Sequence, residues 1–340
     1  TLILATMQQI KNLKIKLLMS LSILGVIFGG CDSLLYDNLE DCPQGVYVKF
    51  YSMTPCETDS TFIGNVSNLS VFAFDDKDKL VVTHNQHNVS LSRDFEVLMP
   101  VSNGNYNFVA WAGVNDNFSL ESFTPGTTTK QDVMMTLKMN GSSAVELGDA
   151  KVWQGESRTV NLPDPAKSGA QFRYTAVNLR EVTNRVKLIV EFDRTTMKEK
   201  LPKDLRVKVA SANSIMHIDG TTKRNAQQVE YPAQDVVITD DVGEWNYSLL
   251  DLVTGMNNNL KITLEEEGDD SGEEKLVFDG DLIASILLRA VENGVSLDCE
   301  NDFEVRFEIK DYCVECWTHF SCNIYVNDWL VHSYSTDLEI

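Results

Sequence analysis

Cysteine has the most chemistry available to it in this sequence, and the seven cysteines divide by position. Cys31 directly follows Gly29 and Gly30. Before them lie the uncharged run LLMSLSILGVIF (Leu17 to Phe28) and a basic stretch holding Lys11, Lys14 and Lys16. A basic region, a short apolar run and small residues at the cut form the pattern of a secretory signal. The run falls short of the roughly 20 residues that a membrane-spanning helix needs. Small residues followed at once by cysteine make the cut a bacterial lipobox, where a diacylglycerol is placed on the sulfur and the chain is cleaved before it. Each buried acyl CH₂ contributes about 0.8 kcal/mol, so two or three chains hold a protein at a membrane durably. Cys31 is therefore the expected lipid-attachment site, with residues 1–30 the signal peptide.

The other six are Cys42, Cys56, Cys299, Cys313, Cys316 and Cys322. Export favours disulfides, but six cysteines allow 15 pairings and spacing does not choose among them. Cys313-x-x-Cys316, with Cys322 and Cys299 nearby, has a spacing that suits a four-thiolate zinc site or a redox pair. It sits between β-type runs, so structural bridges or free thiols are the expectation. The five histidines (84, 87, 217, 319 and 332) are scattered, and His84 and His87 read as part of a polar loop, THNQHN. There is no H-E-x-x-H, G-x-S-x-G, P-loop or dinucleotide fingerprint. The acidic strings DDKDK and EEEGDDSGEE lack the residue order that wraps calcium and read as hairpin tips. Trp111, Trp245, Trp317 and Trp329 fall in strand-like runs that suit core or rim packing. No carboxylate pair stands out for glycoside chemistry. No catalytic, cofactor or metal site is expected.

The elements that would carry these residues are short strands. Alternating apolar runs occur at Gly45 to Ser52, Leu69 to Phe74, Leu80 to Thr83, Arg185 to Phe192, Asp204 to Ser211, Asn259 to Glu266, Asp302 to Asp311 and His319 to Val326. Turn residues close each of them. DFEVLMPV and NYNFVAWAGV, separated by Ser-Asn-Gly-Asn, read as a hairpin. Leu282 to Val291 is the exception and reads as a short helix. The chain has 340 residues, 43% hydrophobic, with a net charge of −21 and a pI near 4.6. That composition is globular and large enough for two cores; the acidity argues against nucleic acid as a partner. The proline-bearing string LPDPAKSGA (Leu162 to Ala170) is the best linker. The expected organisation is thus a signal over 1–30, a lipidated tether over 31–44, and two β-sandwich domains over 45–165 and 166–340.

Several strings carry a family resemblance. CDSLLYDNLEDCPQGVYVKF resembles the start of the FimB family, the fimbrial anchoring subunits of Bacteroidales. NVSNLSVFAFDDKDKLV, GNYNFVAWAGVND, AVNLREVTNRVKLIVEF and WTHFSCNIYVNDWLVHSYSTDL resemble its later strands, in the right order to the end of the chain. The resemblance implies an all-β fold of two tandem transthyretin-like β-sandwich domains, the second holding the short helix read at Leu282 to Val291. It also implies an outer-membrane lipoprotein at the base of a fimbrium, with a fimbrial stalk subunit (a fimbrillin) as partner and no enzymatic activity. Of functional residues only Cys31 carries over. Strand addition would join anchor to stalk, and the C-terminal run VNDWLVHSYSTDLEI is a candidate segment or an ordinary closing edge. Two alternatives stand beside this reading. One is a tip or minor fimbrial subunit with adhesin activity; the other, from a different class, is a glycan-binding or glycan-degrading surface lipoprotein.

Overall fold

The computed structural model describes residues 43–197, 202–265, 274–287, 296–314, 317–326 and 329–336. The chain opens with β1 (Gly45–Tyr51), β2 (Gly64–Phe74), β3 (Leu80–Leu91), β4 (Glu96–Pro100) and β5 (Gly104–Ala112). Shorter strands follow: β6 (Phe118–Leu120), β7 (Val133–Leu137), β8 (Met139–Asn140), β9 (Ser143–Ala144), β10 (Trp153–Glu156) and β11 (Val160–Leu162). A helical turn α1 (Pro165–Ser168), capped by the Asp164 side chain, leads to β12 (Phe172–Asn178) and β13 (Arg180–Glu181). Next come β14 (Thr183–Phe192), β15 (Leu205–Ser211), β16 (Ile215–His217), β17 (Val229–Tyr231), β18 (Asp235–Ile238) and β19 (Val242–Leu250). The chain continues through β20 (Asn259–Leu264), β21 (Lys275–Asp281), helix α2 (Leu282–Leu287), β22 (Asp302–Val314), β23 (Trp317–Val326) and β24 (Trp329–Thr336).

Two sandwiches repeat one topology. In the first, β1 lies between antiparallel β4 and parallel β12, facing a sheet in which β3, β2, β5 and β10 run side by side. In the second, β14 lies between antiparallel β19 and parallel β22, facing β17, β15, β20 and β21 in the matching order. The fold is all-β and built of two tandem sandwiches, consistent with the arrangement the resemblance implied. The second adds β18 beyond β19, and β23 and β24 beyond β22. Helix α2 begins where the helix was expected; residues 288–291 of that run lie outside the described residues.

Burial explains why the middle strands read as nearly continuous apolar runs. Leu69, Val71 and Ala73 of β2 and Phe108, Ala110 and Ala112 of β5 fill the first core with Val46, Val48, Phe50, Val97 and Met99. The opposite faces of the same strands send Phe72, Phe74, Val109 and Trp111 into the second core. A sheet covered on both faces needs apolar residues at both parities. The two sandwiches thus share a wall. Trp111, fully buried, donates its Nε1–H to the Ile218 carbonyl at 2.8 Å, across that wall. Residues between β5 and β10 also cross over: β7 pairs with β16, and β9 with β17.

Three expectations are corrected. The boundary at 165/166 cuts through the first sandwich, because β12 pairs with β1 over seven residues and Val177 and Leu179 belong to the first core. The chain leaves that sandwich only near residue 182. The β4–β5 hairpin does not form; β4 pairs with β1 and β5 with β2 and β10, so the Ser-Asn-Gly-Asn segment is a corner between sheets. A tight-turn signal specifies a reversal but not the sheet that receives the next strand. His84 and His87 lie within β3, paired opposite Val71 and Asn68, and not in a loop. That edge strand is solvated for most of its length, so its polar residues gave no strand signal.

Candidate functional site

A constellation of polar contacts and one disulfide lies where the two sandwiches join. Three segments meet there: the end of β1 with the loop to Cys56, the stretch from Asn178 to Arg185, and the loop leading into β22. Leu179 N–H donates to the Tyr51 carbonyl at 2.8 Å. Asn178 clasps Met53 reciprocally, accepting from its N–H at 2.9 Å and donating to its carbonyl at 2.8 Å. On the other side Asn301 Nδ2 donates to the Thr183 carbonyl at 3.0 Å, and Arg185 N–H donates to the Asn301 carbonyl at 2.7 Å. The Cys56–Cys299 disulfide closes the junction, joining residues 243 positions apart with Cα atoms 5.8 Å from each other.

The charges at the junction are held in fixed partnerships. The Arg185 guanidinium pairs with Asp302 and with Glu181 Oε1. Its hydrogen bond to Asp302 raises the pKa of Arg185, against the opposing effect of burial, and Glu181 adds to the rise. The same bond holds the Asp302 carboxyl below the usual carboxylate range. Asp251 goes the other way: burial, with Asp298 nearby, pushes its pKa up to about 6. This arrangement braces two bodies and places no nucleophile beside a base.

A polar groove of about 450 Å³ adjoins the junction, lined by Asp149, Arg185, Lys187, Asp235, Asp302 and Glu304 among others. Its Asp302 is committed to Arg185, and Asp251 is not part of its lining. Among the described residues no group of three or more His, Cys, Asp or Glu side chains is placed to hold a metal ion. In the DDKDK turn Asp75 Oδ1 accepts from the Lys77 and Lys79 N–H groups at 2.9 and 2.8 Å, which spends the carboxylate on the hairpin. The outer face of β1, β4 and β12 carries Tyr47, stacked on Tyr174 at 5.1 Å, with Phe172 beside it and Leu98 exposed nearby.

Cys31 and Cys42 lie outside the described residues, as does Cys316; Cys313 falls within β22. Cys322 in β23 is a buried free thiol whose pKa burial pushes up to about 12, which keeps it protonated and inert. The five histidines are distributed over β3, β16, β23 and β24 rather than gathered. Trp111 and Trp245 are core residues, as read from the sequence. The Cys56–Cys299 pairing was one of the open possibilities, and nothing in the spacing of the cysteines distinguishes it. The Asn178 and Asn301 clasps carry no sequence signal at all, since each joins segments more than 100 residues apart.

The described residues form a doubled β-sandwich with a braced junction, an all-β architecture. The sequence matches the family of fimbrillin-A associated anchor proteins Mfa1 and Mfa2 over residues 39–335, and the chain belongs to that family. It is 33% identical over 328 residues to the minor fimbrium anchoring subunit Mfa2 of Porphyromonas gingivalis, covering 95% of this chain and 97% of that protein. The solved structure of the P. gingivalis fimbrial anchor protein Mfa2 superposes with a TM-score of 0.75 at 32% identity, covering 86% of this chain and all of that one. A candidate polysaccharide-binding protein from Bacteroides thetaiotaomicron shares the fold, with a TM-score of 0.66 at 21% identity over 87% of this chain and 98% of that one.

Proposed function

We propose that this chain is the lipoprotein that moors a fimbrium to the outer membrane and, by occupying the basal position, ends the filament and limits its length. The observation that carries this reading is the near full-length match to an anchoring subunit. The stapled junction supports it, because a mooring must pass tension between its two ends without its domains parting. In this reading Cys31 bears the lipid. Residues 31–44 form a tether with a reach of at most about 50 Å before β1 begins. The stalk is joined through main-chain strand pairing, without enzymatic chemistry. β24, the edge of its sheet and the last described strand, is one place where such pairing can occur.

The test is Cys31→Ala, with the protein and the fimbriae each located by fractionation and microscopy. The protein is expected to leave the membrane fraction, and the fimbriae to be shed with it. Fimbriae still attached to cells would overturn the anchoring role. A mature N-terminus elsewhere, with the Cys31 sulfur unmodified by mass spectrometry, would overturn the lipid assignment.

A further inference from the structure

Every sheet has two edges, and most edges here are blunted. Strands β13 and β8 are two residues long, and β6 and β16 three. β4 ends in Pro100, β3 is polar along its exposed stretch, and the far side of β12 meets the β10–β11 segment through the Ser157–Val177 bridge. β18 differs. It reads Asp-Val-Val-Ile with no lysine, no proline and no residue hidden, and Val236, Val237 and Ile238 are 49%, 51% and 42% exposed. An edge of exposed β-branched residues is a template for another strand.

The geometry of that edge is specific. β18 pairs with β19 on one side, Val236 opposite Trp245 and Ile238 opposite Gly243. Trp245 is buried in the second core, so Val236 and Ile238 point to the core side of the sheet but lie beyond the strands that cover it. Thr239 N–H donates to the Val242 carbonyl at 2.9 Å. In an antiparallel ladder bonded pairs alternate, so the peptide groups of Val236 and Ile238 face away from β19. An arriving strand would find two donors, two acceptors and an apolar shelf.

Charge selects the occupant. Asp235 and Asp240 bracket the strand, and neither forms an ion pair among the described residues; Asp241 is matched by Arg194. A second copy of this chain is disfavoured: antiparallel self-pairing would set Asp235 of one against the Asp240 end of the other, on bodies of net charge −21. We infer that β18 is a docking edge for an extended segment of a filament subunit, one with β-branched or leucine side chains on alternate positions and lysine or arginine at its ends. This deepens the anchoring reading and rests on it.

The test uses the full chain and purified stalk subunit in a binding assay, with three variants. Val236→Pro removes an outward N–H that the fold does not use and is tolerated at an edge. Asp235→Lys with Asp240→Lys reverses the bracket and leaves the apolar residues in place. Cys31→Ala serves as the comparison. At least tenfold weaker binding in each of the first two, with Cys31→Ala unchanged, is the expected result, and the wild-type affinity should fall as salt rises. Unchanged affinity in the charge-reversed variant, or no binding by the wild type, overturns the docking edge. Self-association through β18, abolished by Val236→Pro, overturns the choice of occupant. Shedding of fimbriae by Cys31→Ala cells reads the anchoring role separately, so the two ideas fail by different measurements.

Discussion

Replacing both cysteines of the junction, Cys56→Ser with Cys299→Ser, tests how the two sandwiches are held. The bridge spans 243 residues of sequence. The chain-entropy relation for a loop of that length gives about 5.5 kcal/mol at 25 °C, slightly above the ~5 kcal/mol upper limit of what disulfides deliver and so a ceiling. The surrounding clasps persist in the variant, because Asn178, Asn301 and Arg185 make their contacts independently of the sulfur atoms. Each of those hydrogen bonds contributes only about 0.5–1.5 kcal/mol, so the native junction keeps its geometry while the unfolded chain gains freedom. The assay is urea unfolding followed by tryptophan fluorescence, since Trp111 and Trp245 both report on the second core. The midpoint should fall, and the denaturant slope should rise, because the unbridged unfolded chain exposes more surface. An unchanged midpoint with an unchanged slope would refute the claim that the bridge acts on the unfolded state. A fall in midpoint with no change in slope would place the effect in the folded junction instead.

Two further perturbations probe the shared wall and the buried carboxyl. Trp111→Phe removes the donor to the Ile218 carbonyl and leaves that acceptor unpaired in the core; thermal unfolding should show a loss of about 2–3 kcal/mol, and a loss under 0.5 kcal/mol would show that the wall closes without it. Asp251 has a folded-state pKa of about 6, above its unfolded value of about 3.9, so the folded chain binds the extra proton and stability should decline as pH rises from about 4 to about 6. Its ceiling is ~3 kcal/mol before partial solvent screening. Asp251→Asn should flatten that limb relative to wild type, and parallel stability–pH curves would show that Asp251 does not carry it.

Much of the strand order was legible because alternating apolar runs closed by turn residues are a local signal. Arg185 to Phe192 and Asp302 to Asp311 are cases in which the expected strand and the observed one nearly coincide. What was not legible was which surfaces the strands serve. The run around Val71 to Phe74 supplies two cores, and only the second sandwich, built more than 100 residues later, reveals the second one. The polar part of β3 beyond Thr83 hid for the converse reason, since a strand with little burial needs no apolar period. The parallel pairing of β12 with β1 is a contact across about 125 residues, so a linker-like string before β12 misplaced the boundary. At the candidate sites, β18 carries a readable apolar string, but its exposure depends on where the opposing sheet stops. The Cys56–Cys299 pairing depends on two loops meeting, which spacing along a chain does not encode.

The path of tension through the molecule joins these observations. A pull on residues before Gly45 enters β1 at its N-terminal end, while the chain leaves β12 at its C-terminal end toward β14. The two strands are parallel and registered over seven residues, so the pull acts along the strands and loads the ladder bonds together rather than one after another. Past Tyr51 the covalent route divides at Cys56: one branch runs through the sandwiches, the other crosses the disulfide directly to Cys299 and β22. Tension delivered to β22, β23 or β24 therefore bypasses the 243-residue interval, which cannot be drawn out while the bridge is intact. Tension delivered to β18 enters within that interval and must pass through the β18–β19–β14–β22 ladders before reaching the bridge. The two edges of one sheet thus differ in mechanical standing. A filament seated at β18 would draw on backbone hydrogen bonds across four strands, and one seated at β24 on those across three before reaching the covalent shortcut, so the force at which fimbriae detach from wild-type and Cys56→Ser/Cys299→Ser cells distinguishes the two seats.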